Sequence, residues 1–518
     1  MPIIDWDEWS APEIRPYMAA IIYLPNETIN ISDDEIVSVN FFEYMFADNC
    51  VLFGPPNPGT GQLEIIDYEQ RFNPMINPDL MTPNIKIELY LGLWPVSSDT
   101  NLGPNIVTSF EQPVYATVDG QYTWATIIHT NDEYLHPLGR YRLEYSFSLA
   151  DESEIYTEYF YVPGTWFKKH IYAITQDTQY TVYDVKIQEV QSILQPYGTF
   201  YAQDWTYSSV THITNVDLVD GLALLLTQDT SMYSLMPAQN QDSVQFLLSM
   251  LPDINISDNV VPTTLLYSTY QETYPKTVNS LVEAIRSSLV VSPDNTMELF
   301  RYSWYDTGIT LTDHDVTEYI LEQSSTALYD SITVEYQKPT LKSEEVIFSE
   351  ENLAIEDGLE FFYSRANVFD FTHFNCGYTS QIKMMRFILK PVSCIWVKSE
   401  SISLNNDLTK GTLYGRVIEY STYAISYGTG SHSYSIVSNN YIQTKEHAEA
   451  IVDTLAENIF LPYFTIRVTI RGCYGIWVGG LINVYSEMYG IDNQYIITQV
   501  DFDYNGGVRT TLTLQMRH

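Results

Sequence analysis

The feature that most constrains this chain is a two-residue alternation of apolar and polar side chains, repeated segment after segment with no helix-length spacer between segments. Residues 17–94 carry it in "YMAAIIYLP", "DEIVSVNFFEYMF", "GQLEIIDYE" and "NIKIELYLGLW", separated by Pro and Gly clusters such as "GPPNPGTG" (54–61). Alternation puts one side of each segment on a core and the other in water, which is a strand signature. Parallel neighbours need long crossovers, so short links favour antiparallel pairing in a barrel or sandwich. "GRYRLEYSFSLA", "IYTEYFYVPG" and "HIYAITQDTQYTVYDVKIQ" extend the pattern, and "PYGTFYAQDWTYSSVTHITNVDLVDGLALLL" (196–226) adds two strands and an aliphatic segment. The 42 tyrosines fit half-buried pleated surfaces, and a glycan-binding surface also uses this residue.

Helical spacing enters in the middle of the chain. "SVQFLLSMLPD" (243–253) and "TVNSLVEAIRSSLVV" (277–291) have it, and in the second Val278, Leu281, Ile285 and Leu289 share a face. "TDHDVTEYILEQS" (312–324) reads as a capped helix start, with Thr312 as the cap and Asp315 in the first turn where the dipole favours a carboxylate. The alternative is a metal site at Asp313-His314-Asp315, but ligands so crowded do not easily converge on one ion. "TKEHAEAIVDTLAENIF" (444–460) is the clearest helix. Thr444 is its cap, and Ala448, Ile451, Val452, Leu455 and Ile459 form its apolar stripe. The strands after it, ending in a hairpin around Asn505-Gly506-Gly507, are the expected partner for that stripe.

At 518 residues the chain exceeds one core. The pattern divides it into residues 1–230, a first β-rich unit with an insertion near 100–165; residues 231–325, a small α+β unit; and residues 326–518, a second β unit with an insertion near 340–440 and the 444–460 helix. The fold class is mainly β with α+β parts.

Charge narrows the function. Lys and Arg number 25 against 65 Asp and Glu, a formal net charge of −40 spread along the chain. Phosphate contacts need clustered cations, so stable nucleic-acid binding and attraction to an anionic membrane are disfavoured. No apolar run is long enough to span a bilayer, and the acidic, proline-broken N-terminus is no signal peptide. The asparagines of the sequons at 26, 30 and 255 are therefore read as chance matches. Cys50, Cys376, Cys394 and Cys473 lie far apart and suit neither a zinc site nor a disulfide framework, so they read as buried thiols in a reducing cytosol. No nucleophile elbow, phosphate loop, HExxH or Cys/His pair is present. His129, His136, His170, His212 and His447 read as structural or surface residues. The reading assigns no catalytic, metal or cofactor-binding residue and no enzymatic activity. A glycosidase, needing only two carboxylates, is the weakest alternative.

The order of elements carries a resemblance. A β-rich opening containing "DEIVSVNFFEY…LFGPPNPGTGQLEIID" (34–67) leads to a strand pair ending at Asp217 or Asp220 and Leu222, then a helical middle unit. "TDHDVTEYI…SITVEY" and a closing helix and hairpin with "GGVRTTL" follow. This order resembles the baseplate and tail-tip hub proteins of tailed bacteriophages. The resemblance implies two antiparallel β-barrel hub domains per chain and a homotrimeric ring capping the tail tube, closed before infection and opening for DNA. It implies distal-tail or tail-tube ring proteins, the tape-measure protein and tail fibre or receptor-binding proteins as partners. The location implied is the virion tail tip, after synthesis in the host cytoplasm. A glycan-binding adhesin or receptor-binding protein is the competing reading.

Overall fold

The computed structural model describes residues 15–45, 53–94, 102–105, 107–111, 124–130, 140–149, 152–161, 168–172, 180–190, 193–227, 240–266, 273–323, 329–351, 360–363, 368–376, 384–389, 393–398, 402–404, 410–460, 464–472 and 476–516. The strands used below are β1 (Arg15–Tyr23), β2 (Thr28–Ile31), β3 (Ile36–Tyr44), β4 (Thr60–Ile66), β5 (Ile85–Trp94), β6 (Ile193–Ser208) and β7 (Ile213–Val219). Three helices follow, α1 (Gly221–Thr227), α2 (Ser243–Met250) and α3 (Tyr274–Ala284), then β8 (Ser288–Val291), β9 (Met297–Phe300), β10 (Tyr305–Leu311) and β11 (Val316–Gln323). The remainder are β12 (Ser331–Leu341), β13 (Lys410–Gly428), β14 (Ser433–Ile436), α4 (Lys445–Ile459), β15 (Phe464–Arg471), β16 (Gly480–Ser486), β17 (Ile491–Tyr504) and β18 (Val508–Met516). The chain is mainly β, and among the described residues no helix is long and apolar enough to cross a membrane.

One large sheet runs in the order β2-β1-β5-β6-β7-β4-β3-β17-β18-β15-β11, with β16 also on β17 and β10 on β16. It contains the same strand pattern twice. In the first run, β3-β4-β7-β6-β5 pair antiparallel in that order. In the second, β11-β15-β18-β17-β16 do the same, in the same chain order. β10 lies parallel to β16. Its counterpart β2 also runs parallel to β5, because β1 sits between them antiparallel to both.

Local details repeat with the topology. The turn between β2 and β3 is Ser32–Glu35, in which the Glu35 carboxylate accepts from Ser32 N and Oγ at 3.3 and 3.4 Å. The turn between β10 and β11 is Thr312–Asp315, in which Asp315 Oδ2 accepts from Thr312 N at 2.8 Å and Oγ1 at 2.6 Å. Each following strand is bulged at its second residue, between Ile36 and Ser38 and between Val316 and Glu318. β6 and β17 are each bulged midway, between Ala202 and Asp204 and between Ile497 and Gln499.

The expected barrels are met only in part. Within each run the outermost strands are joined by a short turn, yet the ladders among the described residues do not close. The strands described within 102–190 pair among themselves, not with the large sheet, as do those of 331–436.

Two apolar cores follow. The first lies on the large sheet and holds residues from both runs, among them Val39, Phe41, Phe200, Val468, Phe502 and Leu514. The second gathers α1 to α4 with β12 and β14. The stripe on α4 is as expected, and Thr444 caps the helix by accepting from His447 N at 3.1 Å. Its partner is not. Ala448, Ile451, Val452 and Leu455 pack with Val278 and Leu281 of α3 and Ile332 and Val334 of β12, because the apolar side of the terminal strands is already filled by the first run. The 277–291 segment also departs from expectation. α3 stops at Ala284 with Ile285 as its C-cap, and Leu289 belongs to β8. The described part of the 312–324 segment, residues 312–323, is no helix. Thr312 and Asp315 close a turn, and β-branched Val316, Thr317 and Ile320 continue as a strand against β15.

Ile451 is fully buried in the second core. Ile451→Ala is expected to cost about 2–5 kcal/mol of stability, measured by denaturant unfolding.

Candidate functional site

The two runs meet where the second half of β17 pairs with β3. Phe41 lies opposite Phe502, and Glu43 opposite Val500. Met45 N continues the junction by donating to Thr498 O at 2.8 Å. Aromatic rings fill it: Phe41 meets Phe200 edge-on at 4.5 Å, and Tyr197 lies 4.3 Å from Phe502 and 5.4 Å from Trp477. The 476–479 segment is clamped by Tyr305, whose hydroxyl accepts from Trp477 N at 2.7 Å, and by Trp304, whose Nε1–H donates to Val478 O at 2.9 Å.

Two buried carboxyls sit in this junction. Asp220 ends the β7 segment and caps α1: its Oδ1 accepts from Ala223 N at 2.9 Å and its Oδ2 from Gly59 N at 2.6 Å. Gly59 is required for that approach, since a Cβ there would fall 2.4 Å from the Phe41 ring. Glu43, 5% exposed, accepts from the Val478 backbone. Burial pushes the Asp220 carboxyl up to about 6, against three backbone donors that favour its charged form. Burial and the neighbouring Asp220 raise Glu43 well above the usual carboxylate range. Both groups are buried, so their ionisation acts on how the junction holds.

The other residues singled out in the sequence do not converge. Asp313 accepts from Met488 N at 3.4 Å, tying the β10–β11 turn to the β16–β17 turn, and the Ser486 hydroxyl is the main cause that lowers its pKa. Asp315 is occupied within its own turn, and His314 is exposed. Among the described residues no three of His, Cys, Asp and Glu are grouped as metal ligands. His447 is half-buried with Nε2–H donating to Ala284 O at 2.7 Å, and its partial burial lowers its pKa. His212 meets the Tyr207 hydroxyl at 3.0 Å. Asp217 is exposed and accepts from Gln62 at 3.3 Å, so of the two candidate aspartates Asp220 is the one at the junction. His129 and His170 lie on strands whose side chains are outside the described residues, as are Cys376 and Cys394, while His136, Cys50 and Cys473 lie wholly outside them. Sequence reasoning missed Glu43. The only signal for it was an acid in place of an apolar residue on the inward alternation of "VSVNFFEY".

No family model and no curated protein matches the chain. Among solved structures it is similar to a tail protein from Neisseria meningitidis MC58, at 8% identity, covering 96% of both chains with a TM-score of 0.41. It is similar to the 43 kDa tail protein of prophage MuSo2 from Shewanella oneidensis, at 10% identity, covering 96% of this chain and 97% of that one with a TM-score of 0.40. A third is prophage tail protein gp18 from Listeria monocytogenes EGD-e, at 7% identity, 96% and 94% coverage and a TM-score of 0.35.

The buried acids give a pH dependence. Both bind protons more tightly folded than unfolded, where their ordinary values are 3.8 and 4.5. Their contribution to stability is therefore full below about pH 4, falls as pH rises through about 6 while Asp220 ionises, and falls further as Glu43 does. Glu43→Gln keeps the shape and removes the charge. It is expected to stabilise the chain by about 1 kcal/mol at pH 8 and to flatten the fall, read from melting temperatures between pH 4 and 8.

Proposed function

We propose that this chain is a structural hub of a phage tail tip or baseplate. Three copies form a ring that caps the tail tube, joins it to host-recognition proteins and opens for DNA. The observation that carries the reading is the duplicated strand order, β3-β4-β7-β6-β5 and β11-β15-β18-β17-β16: three chains present 3 × 2 = 6 like units, a match for a sixfold tube. Each run is the counterpart of one hub barrel in the family that the order of elements resembles. Partners are placed accordingly: distal-tail or tail-tube rings on one side, the tape-measure protein within, and fibres or receptor-binding proteins outside. The role is structural and needs no cofactor.

The charge fits a conduit. Three copies carry 3 × (−40) = −120, and a wall of that sign does not retain DNA. Crowding that charge into a ring opposes assembly, and salt relieves it over a screening length of about 10 Å at 0.1 M. Sedimentation of the purified protein is expected to show a trimer that tightens from low to moderate salt, with no DNA retained on a filter at low salt. Tight DNA binding, or a trimer that dissociates as salt is added, would overturn the conduit. Reducing-sugar release or glycan binding by a monomer would favour the enzyme or adhesin instead.

A further inference from the structure

The two runs have the same strands but differently occupied edges. β17 is paired with β18 on one flank. Its other flank is taken by β16 along residues 491–496 and by β3 along 499–504. β6, its counterpart, pairs with β7 on one flank and with β5 along residues 193–202 on the other. Beyond that, Asp204–Ser208 has no strand on the second flank among the described residues. The matching vacancy is on β11, the counterpart of β3. β3 lies between β4 and β17, whereas among the described residues β11 pairs with β15 alone.

Burial follows the same division. Phe41 of β3 is 4% exposed at the inner junction, while its counterpart Leu321 is 40% exposed and the adjacent Ile320 37%. The segment linking β15 to β16 buries Ile476, Trp477 and Val478 against the inner junction. The segment linking β4 to β5 leaves Met75 91% and Met81 76% exposed, and Val210 on the β6–β7 turn is 89% exposed. This connection lies beside that turn, with Asp67 N donating to His212 O at 2.7 Å and the Tyr68 and His212 rings 5.4 Å apart. Long apolar edge strands are templates for pairing with another chain.

The geometry points to a second copy of this chain as the occupant: β11 of one copy pairs antiparallel with Asp204–Ser208 of β6 in the next, repeating between copies the junction that β3 and β17 make within one. The register transfers through the shared bulges. Asn40 lies opposite Asp503 and Phe41 opposite Phe502, so Ile320 falls opposite Ser208 and Leu321 opposite Tyr207 of the neighbour. The contact uses two different patches, so it is head-to-tail and closes only as a ring. It rests on the ring proposed above, which leaves its contacts unspecified.

Directly opposed antiparallel residues lie about 4.5–5.5 Å apart at Cα, within the about 4.4–6.8 Å a disulfide spans. The test is the full chain carrying both Ile320→Cys and Ser208→Cys, oxidised and run without reductant, alongside sedimentation. The off-register control pairs Ile320→Cys with Asp204→Cys, displaced by about 13 Å along the strand. Wild type and each single variant set the background from the native cysteines. Intermolecular dimers and trimers from the in-register pair and none from the control are expected. Leu321→Asp, at an exposed site, is expected to weaken the trimer at least tenfold with the melting temperature unchanged. A trimer that neither links at these positions nor responds to Leu321→Asp overturns this interface and leaves the ring standing; a chain that stays monomeric at every concentration overturns both.

Discussion

The large sheet depends on the shared flank of β17. A strand has two edges, and β17 spends one on β18 and divides the other between β16 and β3. The division falls at its bulge, where the twist increases and the strand leaves one neighbour for another. Without that step the first run, with β1 and β2, and the second, with β10, would be separate sheets. With it, Phe41, Tyr197, Phe200, Trp477 and Phe502 meet in one core drawn from both ends of the chain.

The junction is apolar except where it carries Glu43 and Asp220. Asp220 is supported, because it caps α1 and accepts from Gly59. Glu43 has a single backbone donor from Val478 and lies close enough to Asp220 to be raised by it. A buried acid with one donor beside a second acid favours its neutral form. The seam is thus held by rings and main-chain bonds and loosened by ionisation.

Much of the fold was legible. The two-residue alternation gave the strands, Asn505-Gly506-Gly507 gave the hairpin, with Gly506 at a positive φ of 68°, and the 444–460 stripe and its cap gave α4. The partner of α4 was not legible, since an apolar stripe states only that it must be covered. The segment 312–324 was misread because a Thr-x-x-Asp turn satisfies the same backbone donors at the start of a helix or between two strands. The duplication was hidden because what repeats is pairing order and bulge position, while side chains differ: Phe41 against Leu321, Phe502 against Tyr207. Glu43 was illegible as a site residue because burial of one acid among 65 is a tertiary fact.

The β3–β17 pair also sets when the molecule can finish forming. It joins residues 39–44 to 499–504, so all the residues between them must be made before this edge of the first run is covered. Closing so long a loop is slow, and contacts distant in sequence lower the folding rate. Until then Phe41 and Phe200 of the first run lack Phe502, and an apolar strand edge waits in the open. A nascent chain in that state is prone to pair with the wrong partner, including the same edge on another ribosome's product.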